Sequence, residues 1–208
     1  MQAEAVIDGA KALGDGNAMA KPLNRALLWL LLAIPAGWII LRWILTPDTY
    51  GYGHAIGDSG DWAAWLLLVT LAVTPLRLIA RRNKAAQFLA KRRRDLGVAS
   101  FLYSAMHTVV YLWNKSDLQR VLSEAGEWQY LTGWLAFVLF LPLAITSNDA
   151  SMRRLKRGWK RLHRLVYPAA VLTFLHWALT AFDPMTAYIH IGILAAIWIA
   201  RVALTTRR

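Results

Sequence analysis

The chain contains no cysteine in its 208 residues. That single absence excludes disulfides, iron–sulfur clusters, thiolate-bound metals and covalent haem attachment through Cys-x-x-Cys-His. Any metal must then be held by His, carboxylate or Met. Gly-x-Gly-x-x-Gly is absent too, as is any soluble segment large enough to enclose a dinucleotide, so nicotinamide chemistry would have to lie on another protein. Acidic residues are scarce, 12 against 24 Lys and Arg, for a formal charge of +12. Histidine is scarcer still, with five in the chain.

What fills the sequence instead is 57% hydrophobic residues, eleven Trp among them, in long runs that alternate with basic clusters. A soluble domain of this size spreads charge over its whole surface, whereas a bilayer protein keeps its spans free of charge and concentrates Lys and Arg in loops. The basic residues here lie within a few positions of apolar runs. Topology therefore explains the positive charge before nucleic acid does, and no nucleic-acid partner is expected.

Residues 1–21 are polar and small, with Glu4, Asp8 and Asp15 set against Lys11 and Lys21, and read as a flexible cytoplasmic tail. The apolar run that follows continues to Leu45, too far for a cleavable signal, and is better read as a first span. Six runs, 26–45, 62–79, 96–113, 130–145, 162–182 and 187–204, predict an all-α bundle of six transmembrane helices over 22–208. The fourth is the shortest. Prolines 35, 75, 142 and 168 fall in or near the spans, where membrane helices tolerate them by kinking. Two loops are strongly basic: Arg81, Arg82, Lys84 and 91–94 in one, Arg153, Arg154, Lys156, Arg157, Lys160 and Arg161 in the other. The first loop carries Asp48, Asp58 and Asp61 without a base, the third has three acids against two bases, and the fifth has only Asp183. The positive-inside rule then puts both termini in the cytoplasm, in a multi-pass protein of the bacterial inner membrane.

Ionisable side chains at depth are costly and mark function. His107 sits eleven residues into the third predicted span and His176 about fourteen into the fifth, which runs the same way. At ~1.5 Å per residue both rings lie roughly 16–21 Å from the cytoplasmic side. Within about 60° of His107 on the helical wheel fall Ser100, Ser104 and Tyr111, and beside His176 fall Ala169, Thr173, Thr180 and Asp183. Two helices thus each present an imidazole on a narrow, small or polar face. That is what a flat macrocycle held between helices requires, with an imidazole for each side of the iron and hydroxyls to support them. The competing interpretation has each His hydrogen-bonding a neighbouring helix. His163 lies thirteen residues before His176, ~20 Å along the axis, so one iron cannot bind both. It is either a ligand of a second, inner haem with a non-His partner or an ordinary interfacial residue. His54, in an outer loop, and His190, early in the last span, are expected to be structural.

Residues 71–77 (LAVTPLR), Arg93-Arg94-Asp95-Leu96-Gly97 with His107 beyond, residues 143–147 (LAITS) and residues 159–167 (WKRLHRLVY) followed by His176 resemble one family. It is the haem-binding membrane subunit (MsrQ, or YedZ) of the periplasmic methionine-sulfoxide reductase system, within the wider ferric-reductase-like transmembrane group. The resemblance runs in order over roughly 62–204; the first loop, 50–61, and the first span with Arg42 match less well. It implies an electron-transfer subunit of an oxidoreductase complex rather than a stand-alone enzyme. Haem b, one or two, would pass electrons from a cytoplasmic flavin reductase or quinol to a periplasmic molybdenum-cofactor subunit that reduces methionine sulfoxide. The family is also linked to FMN. By the same resemblance, His107, His176 and His163 are the cofactor-binding residues. Two alternatives stand beside this: a ferric or other metal reductase with a different partner, and a haem-free scaffold or transporter whose histidines pack or relay protons.

Overall fold

The computed structural model describes residues 25–206; the tail expected over 1–21 lies outside them. The described residues form helices α1 (Arg25–Leu45), α2 (Tyr52–Ile79), α3 (Lys84–Lys115), α4 (Leu118–Glu124), α5 (Trp128–Ile145), α6 (Asp149–Leu155), α7 (Arg157–Leu162), α8 (Val166–Thr180) and α9 (Met185–Thr206), with no strand among them. Five of these, α1, α2, α3, α5 and α9, are long and apolar enough to cross a membrane. Their outward faces carry Leu30, Ile34, Ile44, Val109, Val138, Ile199 and Val202, all exposed. Apolar surface of that extent suits hydrocarbon rather than water, as in a multi-pass membrane protein.

The fifth predicted span is where structure and expectation diverge. Its helix is broken: α7 ends at Leu162, a 3-10 turn occupies His163–Leu165, and α8 restarts at Val166 for 15 residues. Pro168 accounts for this. It has no N–H to give the Arg164 carbonyl and its ring would clash there, so a continuous helix is disfavoured, yet in the first turn of a new helix the missing donor costs nothing.

α2 is the axis of the bundle. One of its faces packs Ala63, Leu66 and Val73 against Ile39 of α1 and Leu96, Ala99, Tyr103 and Val110 of α3. The other packs Ala64, Leu67, Leu68 and Leu71 against Ala136 and Phe140 of α5, Ala169, Ala170 and Phe174 of α8, and Leu194 of α9. A helix buried on two sides has little amphipathic signal to read from sequence. Its first ten residues were expected to be loop, but Ala55 and Ser59 are fully buried. Small side chains there let α3 approach, and that packing outweighs the helix cost of Gly53, Gly57 and Gly60. His54 accordingly lies in the first turn of α2, exposed, with its ring stacked 5.4 Å from Tyr50.

α1 is attached by two polar contacts. Arg25 donates to Asp95 of α3 at 2.8 Å. Tyr103 of α3 donates its hydroxyl to the Leu32 carbonyl at 2.7 Å and accepts from the Ala36 amide at 2.9 Å. Those two backbone groups are one turn apart, so the hydroxyl bridges one turn of α1 beside Pro35.

Candidate cofactor site between two imidazoles

His107 on α3 and His176 on α8 face each other with ring centroids 6.1 Å apart and planes at 89°. Counting along the helices put them at one level, and their rings meet. Two metal–imidazole bonds of about 2 Å each, plus half of each ring, separate the centroids of two axial imidazoles by about 6 Å. The observed spacing fits that arrangement. Among the described residues no group of three or more His, Asp or Glu gathers to hold a bare metal ion. A metal between these two rings would therefore take its remaining donors from a prosthetic group.

The rings are oriented by the same device on two different helices. His107 Nδ1 lies 2.9 Å from the Ile56 carbonyl on α2, and His176 Nδ1 lies 2.5 Å from the Gln129 carbonyl on α5. A carbonyl only accepts, so each Nδ1 carries the proton and donates it, which leaves each Nε2 with a free lone pair. Four residues on from each carbonyl stands a glycine. A Cβ on Gly60 would sit 3.1 Å from His107 Nδ1, and one on Gly133 would sit 2.8 Å from His176 Cε1 and 2.9 Å from Nδ1. In a helix the residue at i+4 overlies the carbonyl of residue i, so only a residue without Cβ lets a ring reach that oxygen. At i+3 stands a hydroxyl in both cases. Ser59 bonds the Ala55 carbonyl at 2.6 Å with a longer contact of 3.1 Å to that of Ile56, and Thr132 bonds the Trp128 carbonyl at 2.9 Å with a longer contact of 3.2 Å to that of Gln129. Each carbonyl thus accepts from an imidazole, with a small hydroxyl residue beside it that bonds mainly the preceding carbonyl. Sequence reasoning named none of Ile56, Ser59, Gly60, Gln129, Thr132 and Gly133. The available signal was the Ser-Gly and Thr-Gly pair, repeated at 59–60 and 132–133.

Around the rings is a cavity of about 610 Å³ between α2, α3, α5 and α8, lined in part by Ser104, Tyr111, Trp134, Thr173, Thr180 and Gly60. A volume in this range suits a cofactor-sized ligand. Four positions expected on the imidazole faces, Ser104, Tyr111, Thr173 and Thr180, line it. The other three serve elsewhere. Ser100 is buried in the α2–α3 seam and donates to the Ala63 carbonyl at 2.8 Å; Ala169 is core; Asp183 caps α9 through the Met185 amide. The threonine hydroxyls of α8 bond their own helix, Thr173 to Ala169 and Thr180 to His176. Support for the imidazoles comes from backbone carbonyls, where hydroxyls were expected.

At the end of this cavity, Tyr111 and Tyr130 pack with ring centroids 5.7 Å apart, and the Lys115 ammonium lies 5.6 and 5.5 Å from them. Lys115 also pairs with Glu124 of α4, which takes a second bond from Arg120 at 3.0 Å. Those two cations hold the Glu124 carboxyl below the usual range, Lys115 contributing most.

The remaining histidines are apart from the pair. His163 Nε2 is engaged with the Thr146 hydroxyl at 3.0 Å, and its ring stacks on Trp159 at 3.8 Å. Trp159 in turn donates to the Thr146 carbonyl at 2.9 Å, so His163 closes a polar knot between the end of α5 and the break before α8. His190 is buried among Trp65, Phe174 and Trp177 and donates from Nδ1 to Thr186 at 2.6 Å.

Comparison with known proteins places these helices in context. A family model described as ferric reductase like transmembrane component matches residues 59–174. Similar proteins named as the heme-binding subunit MsrQ of protein-methionine-sulfoxide reductase include one from Xanthomonas campestris pv. campestris (strain B100), 41% identical over 158 residues, which cover 72% of this chain and 70% of that one. Another, from Herminiimonas arsenicoxydans, is 40% identical over 124 residues, 58% of this chain and 55% of that one. No solved structure matches.

Proposed function

Since the chain belongs to the ferric reductase like transmembrane family, and within it to the MsrQ subunits, we propose that it holds haem b between His107 and His176 and carries electrons across the membrane to a methionine-sulfoxide reductase. The observation that carries this is the opposed imidazole pair, 6.1 Å apart, with both Nε2 atoms aimed away from the carbonyls that fix them. A bound haem would supply a one-electron carrier that no side chain of this cysteine-free chain provides. The protein's share is orientation. Donation from Nδ1 to a helix carbonyl fixes the tautomer, sets the ring plane and makes Nε2 a better ligand. The site's Ser104, Tyr111, Thr173 and Thr180 beside Trp134 and Trp177 would set the polarity around a bound haem and so tune its potential.

In this reading the segment 162–182 completes a sixth crossing, both termini are cytoplasmic, and the basic loops face the donor, either a flavin reductase, whose flavin phosphate or acidic surface that charge would attract, or a quinol. The imidazole pair then lies towards the opposite face, since α3 ends at Lys115, eight residues or about 12 Å beyond His107. Electrons leave there, to a partner that bears the molybdenum cofactor and the substrate site. A second haem at His163 would require that ring to exchange the Thr146 hydroxyl for iron. Haem quantified per chain decides between one and two, and flavin analysis of the same sample decides whether FMN accompanies it.

The test is reconstitution in vesicles, with reductant on the side of the basic loops and the sulfoxide reductase on the other. Reoxidation of haem on adding methionine sulfoxide supports the assignment. Haem that stays reduced until ferric chelate is added would instead favour a metal reductase, and a colourless chain would remove the haem reading altogether.

A further inference from the structure

A second recess, of about 710 Å³, lies between the end of α2 and the first turns of α3, and four cations line it: Arg77, Arg81, Lys91 and Arg93. None of the four has a carboxylate partner among the described residues. Neighbouring cations do: Arg25 and Arg92 share Asp95, and Arg94 pairs with Asp149 at 2.5 Å. The acids of this end of the molecule are thus spent on the other side of α3. Arg81 reaches only the Leu78 carbonyl of its own turn, at 3.3 Å, and Arg93 only the Thr70 carbonyl, at 3.1 Å. Nearby, Arg201 of α9 lies 5.2 Å over the Tyr167 ring, its Nη1 buried without a hydrogen-bond partner. Positive charge gathered in a concave site, with Arg93 half-buried and Arg77, Arg81 and Lys91 exposed, selects an anion with several acceptor oxygens.

We propose that this recess binds the headgroup of an anionic phospholipid. Phosphate is the chemistry the four cations recognise, and the apolar half of the recess decides its source. Val73, Leu78 and Ala90 form the other walls, and beside them on α2 stand Leu76 and Ile79, exposed to the surroundings of the bundle. An amphiphile satisfies both halves, its phosphate among the guanidinium groups and its chains along α2. A free phosphate satisfies one. Basic pockets between membrane helices recognise anionic headgroups in this way.

The experiment compares the full chain in nanodiscs of phosphatidylcholine with and without phosphatidylglycerol, by thermal unfolding and by mass spectrometry of the retained lipid. Phosphatidylglycerol is expected to raise the melting temperature and to remain bound through delipidation in preference to phosphatidylcholine. The double substitution Arg77→Gln/Lys91→Gln is expected to weaken that retention by roughly tenfold or more. Arg82→Gln/Lys84→Gln, in the same loop but outside the recess, is expected to leave it intact. Arg81→Gln serves as the single-charge variant should the double one fail to fold. Equal retention in the recess variants, or no preference over phosphatidylcholine, would overturn the proposal. So would a full stabilisation of detergent-solubilised chain by inorganic phosphate alone, which would make the ligand a soluble phosphate.

Discussion

His107 and His176 were legible because they are rare, deep and evenly spaced from the same side; the groups that hold them were not. Backbone carbonyls carry no residue identity, so nothing in the letters at 56 and 129 announced an acceptor for an imidazole. The glycines at 60 and 133 looked like two of thirteen. Only the fold shows that each removes the Cβ that would cover the carbonyl one turn back. The two positions differ in clearance, which makes the device testable. Gly133→Ala puts a methyl 2.8 Å from His176 Cε1 and displaces the ring or α5, an overpacking cost of about 1–3 kcal/mol. Gly60→Ala, at 3.1 Å from His107 Nδ1, is milder. Haem retention and reduction potential are expected to shift in the order Gly133→Ala, then Gly60→Ala; the reverse order would mean that the glycines serve only helix packing. In the same spectra, His107→Ala and His176→Ala are each expected to abolish the low-spin signal, and His163→Ala, removing a ring held by Thr146 and Trp159, to leave it in place.

Among the elements, hydropathy located every long apolar helix to within a few residues at its lipid-facing parts and missed the polar extensions. α2 begins at Tyr52 and α3 at Lys84, because Gly-rich and Arg-rich segments continue a helix that tertiary contacts already pay for. Asn83 adds a cap to α3, its side chain accepting from the Ala85 and Ala86 amides. The short α4 is a different case. Val121 is its one buried residue, and it is tied down by Glu124, which bridges Lys115 at the end of α3 and Arg120 one turn earlier. Because the folded carboxyl titrates below its ordinary value, this stabilisation is complete above the unfolded carboxylate range and is lost as pH falls through the lowered folded value. Acidification is therefore expected to free α4 before the bundle unfolds. Amide exchange at 118–124 checks it, and Glu124→Gln is expected to show the freed behaviour at neutral pH. Exchange at 118–124 that is insensitive to both would mean that Val121 alone holds the helix.

For the molecule as a whole, charge and length give different counts of crossings, and the difference lies in one segment. Length and apolarity select five helices, which with a cytoplasmic N-terminus would leave the C-terminus outside and put the Arg153–Arg161 cluster and the acidic loop before α9 on a common side. The positive-inside bias of the loops favours six. In the six-crossing reading the extra crossing is the stretch 165–180, free of Lys, Arg, Asp and Glu, 16 residues that at about 1.5 Å each reach some 24 Å, with the basic residues of 157–164 left at its cytoplasmic end. Its contacts also run the right way, since α8 packs along α5 and its His176 reaches the Gln129 carbonyl at the far end of α5 from Thr146, which holds His163. The 3-10 turn and α8 together thus run the length of α5, as a sixth crossing would require. Reporter fusions after Asp48 and after Lys115 are therefore expected to read periplasmic, and those after Lys84 and Arg157 cytoplasmic, with a fusion at the C-terminus deciding parity. A periplasmic C-terminus would restore five crossings, set α8 on the membrane surface, and separate His176 from the depth at which it meets His107.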